Sequence, residues 1–489
     1  MARNGVSVDG RYAAFTSLAD DLTAGGGNGG GNVYRRDLAS GSTRLVSVNL
    51  QGTNSPNGSA MAPAMNANGR FIAFASNASD LAPNDTRANY DVFLRDMDSP
   101  VCELISATAA NASPTNSGSD SPRIRADGGV VVFASQATEL VNLGVYTTFF
   151  GWCARDLSTR HTVVPGSERF DNPLRSSRFV GYASAGDLGV FESTGRGILA
   201  SDLTTSTPTS LDNSAQDAAL SANGRWLVYA RPRQTVPKQL VVWDLARNTN
   251  WVAAIAGGIH RPSVSDDGQK IAFEAPGEFP ANTVTQIFLY DAGQGTRSLV
   301  SASWDNAGSG NAEASFPQIS ADGRYVVYQS QADNLVANDR NGRMDVFARD
   351  LAAGVTYCLS LSADGTGPGN GYSGNPVLAN DGRTVFFTSD ATDLVPGDFN
   401  HVPDVFAARL PSVADLRILA VDLSTPGCTM IRWIANLGST YRVQYKDNLA
   451  EPAWTEVPGE VTAASATAEK SDGSANLAVR RFYRIELVR

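Results

Sequence analysis

Three stretches of the chain place two aspartates around an amide or a cation at one fixed spacing. They are Asp85-x-Arg87-x-x-x-Asp91, Asp339-x-Asn341-x-x-x-Asp345 and Asp398-x-Asn400-x-x-x-Asp404. Two carboxylates and a side-chain amide on one short loop supply the hard oxygen ligands that Ca²⁺ prefers, so calcium is the cofactor these residues suggest. No bidentate glutamate follows at the usual place in a calcium loop. The same side chains also suit turn capping, in which Asp and Asn accept nearby backbone N–H groups. Arg87 at the middle place makes the first copy the weakest of the three as a metal loop, with the guanidinium itself able to stand in for a metal.

Other polar residues recur. An asparagine lies six residues before a proline at Asn57, Asn116, Asn311 and Asn370. Its expected role is a loop tie, or one more oxygen beside the acidic loop. Acids or amides at Asp21, Asp80, Glu139, Asn334 and Asp393 each precede a leucine and read as caps of a short turn. A different set does not repeat. Arg175, Arg178, Arg233, His260 and Arg261 lie in a stretch with fewer acids, where an anionic or sugar ligand would find charge. Trp304 and Tyr372, with Phe399, add rings that stack on a sugar or a partner protein. The three histidines, His161, His260 and His401, share no motif, and a three-histidine metal site would need all of them to converge.

The elements that carry these residues follow from turn chemistry. Asn-Gly or Asp-Gly pairs end in Gly10, Gly69, Gly128, Gly224, Gly268, Gly323 and Gly382, with a weaker copy at Gly186. The pair predicts a two-residue hairpin turn with both residues at positive φ. Each marker sits among four strand signals: strand a ("FPQIS"), strand b ("RYVVYQS"), strand c ("DVFARDL") and strand d ("TYCLSLS"). Eight such units at a long, regular period predict an all-β, eight-bladed β-propeller of four-stranded antiparallel blades over residues 1–410. The eighth unit stops after strand c, so it is expected to lack a strand d of its own.

These repeats resemble the TolB-type β-propeller repeat, a relative of the WD repeat, on "ADGRYVVYQS…DVFARDLAAG" and the Trp-Asp pair of "VVWDLARN". The resemblance implies a propeller and leaves the function open, because such propellers serve many roles. Residues 411–489 change pattern. Strands such as "CTMIRWIA" and "TYRVQYKD" resemble the small immunoglobulin-like or fibronectin-like β-sandwiches that end many secreted bacterial proteins.

A net charge of −10 argues against a nucleic-acid partner, and no apolar run is long enough to span a membrane. The four cysteines show no metal spacing, and buried thiols are the expectation. The a–b and c–d turns are short, while the b–c and d–a loops are long in most units, so the working face is placed on the b–c/d–a side. The reading is a secreted, extracellular or periplasmic, non-catalytic binding or scaffold protein. It presents that face to a protein or glycan, with loops stabilised by calcium. The alternative is an extracellular carbohydrate-active enzyme with its site at the central opening of the same face.

Overall fold

The computed structural model describes residues 5–115, 117–140, 151–165, 177–184, 187–193, 197–205, 208–232, 238–256, 258–277, 284–400, 402–410, 418–425, 428–435, 440–448, 451–463, 467–474 and 481–488. It is all-β and built from antiparallel meanders. Sheet 1 holds Tyr12–Ser17, Asn32–Asp37 and Ser42–Leu45, and Val6 adds a single bridge to Ala13 where strand a belongs. Sheet 2 holds Ala60–Met65, Phe71–Ser76, Asp91–Asp96 and Cys102–Leu104. Four-stranded sheets 3, 4 and 5 follow, starting at Ser119, Ser177 and Gln216. Sheet 6 holds His260–Val264, Lys270–Pro276, Thr285–Asp291 and Thr296–Leu299, and sheet 7 holds Ala314–Ile319, Tyr325–Ser330, Asp345–Asp350 and Val355–Cys358. Sheet 8 has three strands among the described residues: Ser373–Leu378, Thr384–Ser389 and Asp404–Arg409.

Contacts divide the chain into two compact units. One spans residues 1–256 with 379–381, and the other spans 257–378 with 382–489. Within each unit, consecutive sheets share a core. Ala14 and Val33 of sheet 1 pack with Ile72 and Phe74 of sheet 2, and Ile287 of sheet 6 packs with Val326 and Phe347 of sheet 7. A strand covered on both faces must be apolar throughout, which is why Val130–Ser135 is buried at every position. Strands b and c also place rings opposite one another. Phe74 stacks on Phe93 at 5.8 Å, and Tyr328 on Phe347 at 5.9 Å. Such cross-strand pairs add about 0.5–1 kcal/mol each beyond burial.

The turn glycines are left-handed as expected, from Gly10 at φ 67° to Gly382 at φ 67°, but the Asp or Asn before each one is not. The two-residue, doubly left-handed hairpin is therefore corrected to a longer turn. Gly10 N–H donates to Ser7 O, and Ser7 N–H reaches Tyr12 O, so four residues make the loop and glycine alone needs positive φ. The aspartate side chain does different work: Asp9 Oδ1 accepts from Ser7 Oγ and Arg11 N.

In four sheets the arginine after the turn ties the start of strand b to the end of the adjacent strand c. Arg11, Arg70, Arg225 and Arg324 reach Asp37, Asp96, Asp244 and Asp350, the last residues of strand c, at 2.8, 2.7, 2.7 and 2.8 Å. The guanidinium of Arg225 holds the Asp244 carboxyl down at about 2.

The C-terminal strands form two sheets around one core. Ile418–Thr425, Cys428–Ile434 and Thr467–Asp472 make one, and Thr440–Lys446 with its three partner strands makes the other. Trp433 and Tyr441, from opposite sheets, meet edge to face at 5.8 Å. Cys102, Cys153 and Cys358 are buried free thiols, and Cys428 is also free. No helix among the described residues is long and apolar enough to cross a membrane.

Candidate functional site

The acidic loops leave strand b and enter strand c, and the final aspartate of each motif is the first residue of strand c. That register turns Asp91 and Asp345 inward, and both are fully buried. A serine fifteen residues on clasps each: Ser106 Oγ donates to Asp91 Oδ1 at 2.6 Å, and Ser360 Oγ to Asp345 Oδ1 at 2.7 Å. The same hydroxyl accepts the next backbone amide, from Val92 or Val346. Burial pushes the Asp91 and Asp345 carboxyls up to about 7. Asp339 is pushed up to about 6 by burial, and Asp85 is also raised by burial.

The remaining oxygens are poorly provided for. Asp85 Oδ2, Asp91 Oδ2 and Asp339 Oδ1 are buried with no hydrogen-bond partner. Asp85 Oδ1 does accept from Ser113 Oγ at 2.8 Å and from Arg87 N at 3.2 Å, so part of the motif caps a turn as the alternative reading held. The Arg87 side chain is exposed. Among the described residues the Arg87 side chain makes no ion pair with Asp85 or Asp91. In sheet 7, Asn341 Nδ2 donates to Asp345 Oδ2 at 2.7 Å and to Gly369 O at 2.8 Å. In sheet 8, Asn400 Nδ2 donates to Asp404 Oδ2 at 3.2 Å, but Asp398 and Asp404 are half-buried and Asn400 is exposed.

Two signals that looked separate in the sequence form one device. Asn57 Oδ1 accepts from Ser79 N, its Nδ2 donates to Ser79 Oγ, and its own N–H donates to Asp80 Oδ1. Asn311 makes the same three bonds with Asp333 and Asn334, and Asn370 with Thr392 and Asp393. The d–a loop is thus latched onto the b–c loop of the sheet it leads into. Asn116 lies outside the described residues, and there Glu139 accepts directly from Thr115 N at 2.6 Å. The leucine after the acid is fully buried at Leu81 and Leu335 and exposed at Leu22.

Arg178 and Arg261, of the non-repeating residues, each pair with an acid of their own sheet. Arg175, Arg233 and His401 lie outside the described residues. Arg178 belongs to the first unit, where it pairs with Glu192 at 2.6 Å and donates to Ala218 O. Arg261 belongs to the second, where it pairs with Glu274 at 3.0 Å and stacks on Phe316. His260 is an exposed neighbour of Arg261. Trp304, Tyr372 and Phe399 do share a setting: all three are exposed on d–a or b–c loops of the second unit, at 60%, 40% and 81%. Trp304 N–H is anchored on Asn334 O, so the ring projects from a fixed backbone.

One feature shows in the sequence only as a recurring proline. Strand a bulges at the same place in five sheets, where Ala62, Ser121, Arg261, Phe316 and Asn375 each take positive φ before a proline, and sheet 5 repeats it at Asp217 without the proline. In three of these the freed amide donates to an acid or amide on strand b of the preceding sheet: Asp217 to Glu192, Phe316 to Glu274 and Asn375 to Gln329. The proline recurs but the bulged residue itself varies in type from sheet to sheet, so only the backbone shows its left-handed conformation.

No family model and no curated protein matches the chain. Among solved structures it is similar to TolB from Acinetobacter baumannii at 14% identity, with a TM-score of 0.32, covering 60% of this chain and 63% of that one. It is similar to an oligogalacturonate lyase in complex with manganese at 12% identity, with a TM-score of 0.45 and coverages of 83% and 88%. The β-propeller domain of the trilobed protease from Pyrococcus furiosus is similar at 10% identity, with a TM-score of 0.40 and coverages of 82% and 92%. Among the described residues no three His, Cys, Asp or Glu side chains come together as metal ligands.

Proposed function

We propose that the chain is a non-catalytic binding or scaffold protein acting outside the cytoplasm, with a propeller over residues 1–410 and a sandwich module after it. Its b–c and d–a loops form the working face and bind a protein or a glycan. The observation that carries this reading is the latch at Asn57, Asn311 and Asn370. It holds long loops in one conformation while Trp304, Tyr372 and Phe399 stay exposed on loops of that kind. Ordering such loops in advance lowers the entropy lost on binding, which is what a recognition surface requires. The setting is acidic as well: residues 301–410 hold six Lys/Arg against thirteen Asp/Glu.

The test is a glycan array and a photo-crosslinking scan with probes placed on the b–c/d–a loops or on the a–b turns. The variant Trp304→Ala/Tyr372→Ala/Phe399→Ala should fold with an unchanged melt and lose the bound partner. Crosslinks confined to the a–b turns would overturn the reading. Cleavage of a bound polysaccharide would favour the carbohydrate-active alternative.

A further inference from the structure

One position at the start of strand c differs between sheets in one chemically decisive way. Taken five places before the aspartate that closes the strand, it is an amide in sheets 1 and 6, Asn32 or Gln286 (the second residue of Thr285–Asp291), and an acid in sheets 2 and 7, Asp91 or Asp345. One oxygen is treated alike in all four, since Ser47 and Ser301 clasp Asn32 Oδ1 and Gln286 Oε1 at 3.2 and 2.7 Å just as Ser106 and Ser360 clasp the acids. The other terminal atom is the difference. Asn32 Nδ2 donates to Gly26 O at 3.1 Å and Gly30 O at 3.3 Å, and Gln286 Nε2 donates to Gly310 O at 3.2 Å and Ala312 O at 3.0 Å. There the side chain brings the hydrogens that the loop carbonyls need.

An ionised aspartate at that position brings no hydrogen. Asp91 Oδ2 is buried without a partner, and so is Oδ2 of the neighbouring Asp85. In sheet 7, Asp339 is nine-tenths buried with Oδ1 unpartnered, and the Asn341 amide bridges Asp345 Oδ2 to Gly369 O. Acceptors that face one another in a dry interior repel unless positive charge lies between them. We propose that sheets 2 and 7 each hold a calcium ion where sheets 1 and 6 place an amide NH₂. Asp85 and Asp91 are the anionic ligands in sheet 2. Asp339 and Asp345 are those in sheet 7, where Asn341 offers its oxygen in place of its NH₂. Two carboxylates completed by neutral oxygens on an irregular loop suit calcium, which tolerates flexible coordination, better than magnesium, which demands near-ideal octahedral geometry. The third copy, Asp398, Asn400 and Asp404, is not included. Its acids are half-buried, and no strand-d serine among the described residues clasps Asp404. This inference is independent of the loop-face reading, and either can fail alone.

The test follows from the comparison between sheets. Thermal melts in 150 mM NaCl are recorded with EDTA, then across a calcium series, with magnesium as control, and sensitised terbium luminescence counts the sites. The wild-type midpoint should rise with the logarithm of calcium concentration, as mass action requires. Terbium should titrate to two sites. Asp91→Asn and Asp345→Asn recreate the amide of sheets 1 and 6 and keep the serine bond. Each should remove one terbium site, and together they should abolish the calcium response while melting in EDTA at or above the wild-type temperature. If the double variant fails to fold, Asp85→Asn with Asp339→Asn serves the same purpose. A calcium-insensitive wild-type melt, or a double variant that keeps both terbium sites, overturns the proposal.

Discussion

Asn370 and Asp393 hold two loops of the second unit together: the Asn370 backbone N–H donates to Asp393 Oδ1 at 2.9 Å, while the Asn370 side chain exchanges hydrogen bonds with the neighbouring Thr392. Three bonds through one exposed residue make this the least redundant point of the d–a loop. Asn370→Ala should destabilise by about 1–2 kcal/mol, since each net hydrogen bond contributes roughly 1 kcal/mol and the backbone amide can still be kept. Urea melts measure the loss. Limited proteolysis should show new cleavage in residues 361–372. An unchanged melt together with an unchanged cleavage pattern would mean that the latch is ornamental.

The strand-end ion pairs contribute to stability against acid. Asp244 is buried against Arg225, which holds its carboxyl at about 2, against roughly 3.9 in an unfolded chain. A lowered folded value means the stabilisation is complete above the unfolded pKa and is lost as pH falls through the folded one, so the window is about pH 4 to 2. Asp244→Asn should lose on the order of 1–2 kcal/mol at pH 7 and show a flatter stability curve across that window. Equal slopes for wild type and variant between pH 4 and 2 would remove this account.

Glu274 joins two sheets of the second unit. Its side chain is 4% exposed, pairs with Arg261 and accepts the Phe316 amide at 2.8 Å. Glu274→Ala leaves the Phe316 amide unpaired and the guanidinium without its anion. It should destabilise by about 2–3 kcal/mol, discounted because Arg261 remains half exposed. Glu274→Gln keeps an acceptor and should lose about half as much. Equal effects from the two substitutions would show that packing, not the hydrogen bond, is what Glu274 supplies.

Ala62 carries the strand-a bulge of sheet 2 at φ 52° and is exposed. A left-handed alanine costs roughly 1–2 kcal/mol, and glycine removes that strain at a smaller cost in unfolded-state entropy. Ala62→Gly should therefore stabilise by up to about 1 kcal/mol, read as a higher urea midpoint at constant m-value. A lower midpoint would place the Ala62 methyl group in a packing role.

The sequence by itself determined the class of fold, the positions of the strands and the repetition of the acidic loops. The reason is that these are local: alternating β-branched and aromatic residues, a glycine at each left-handed turn position, and a motif counted along the chain all act over a few residues. It also raised the expectation that the eighth sheet would lack its own fourth strand; residues 411–417 lie outside the described residues, and residues 418–425 pair within the C-terminal sheets. Only the tertiary structure decided what the repeated residues touch. Asn370 and Asp393 are 23 positions apart yet bonded, and one position separates an amide at Asn32 from an acid at Asp91 only once both are seen at the start of strand c. It also left Arg178 and Arg261 each beside an acid of its own sheet, where the sequence had grouped them by proximity. Burial and register are properties of the packed sheets. They turned a turn-capping motif into buried carboxylates with unpaired oxygens, a state that no count of residues along the chain contains.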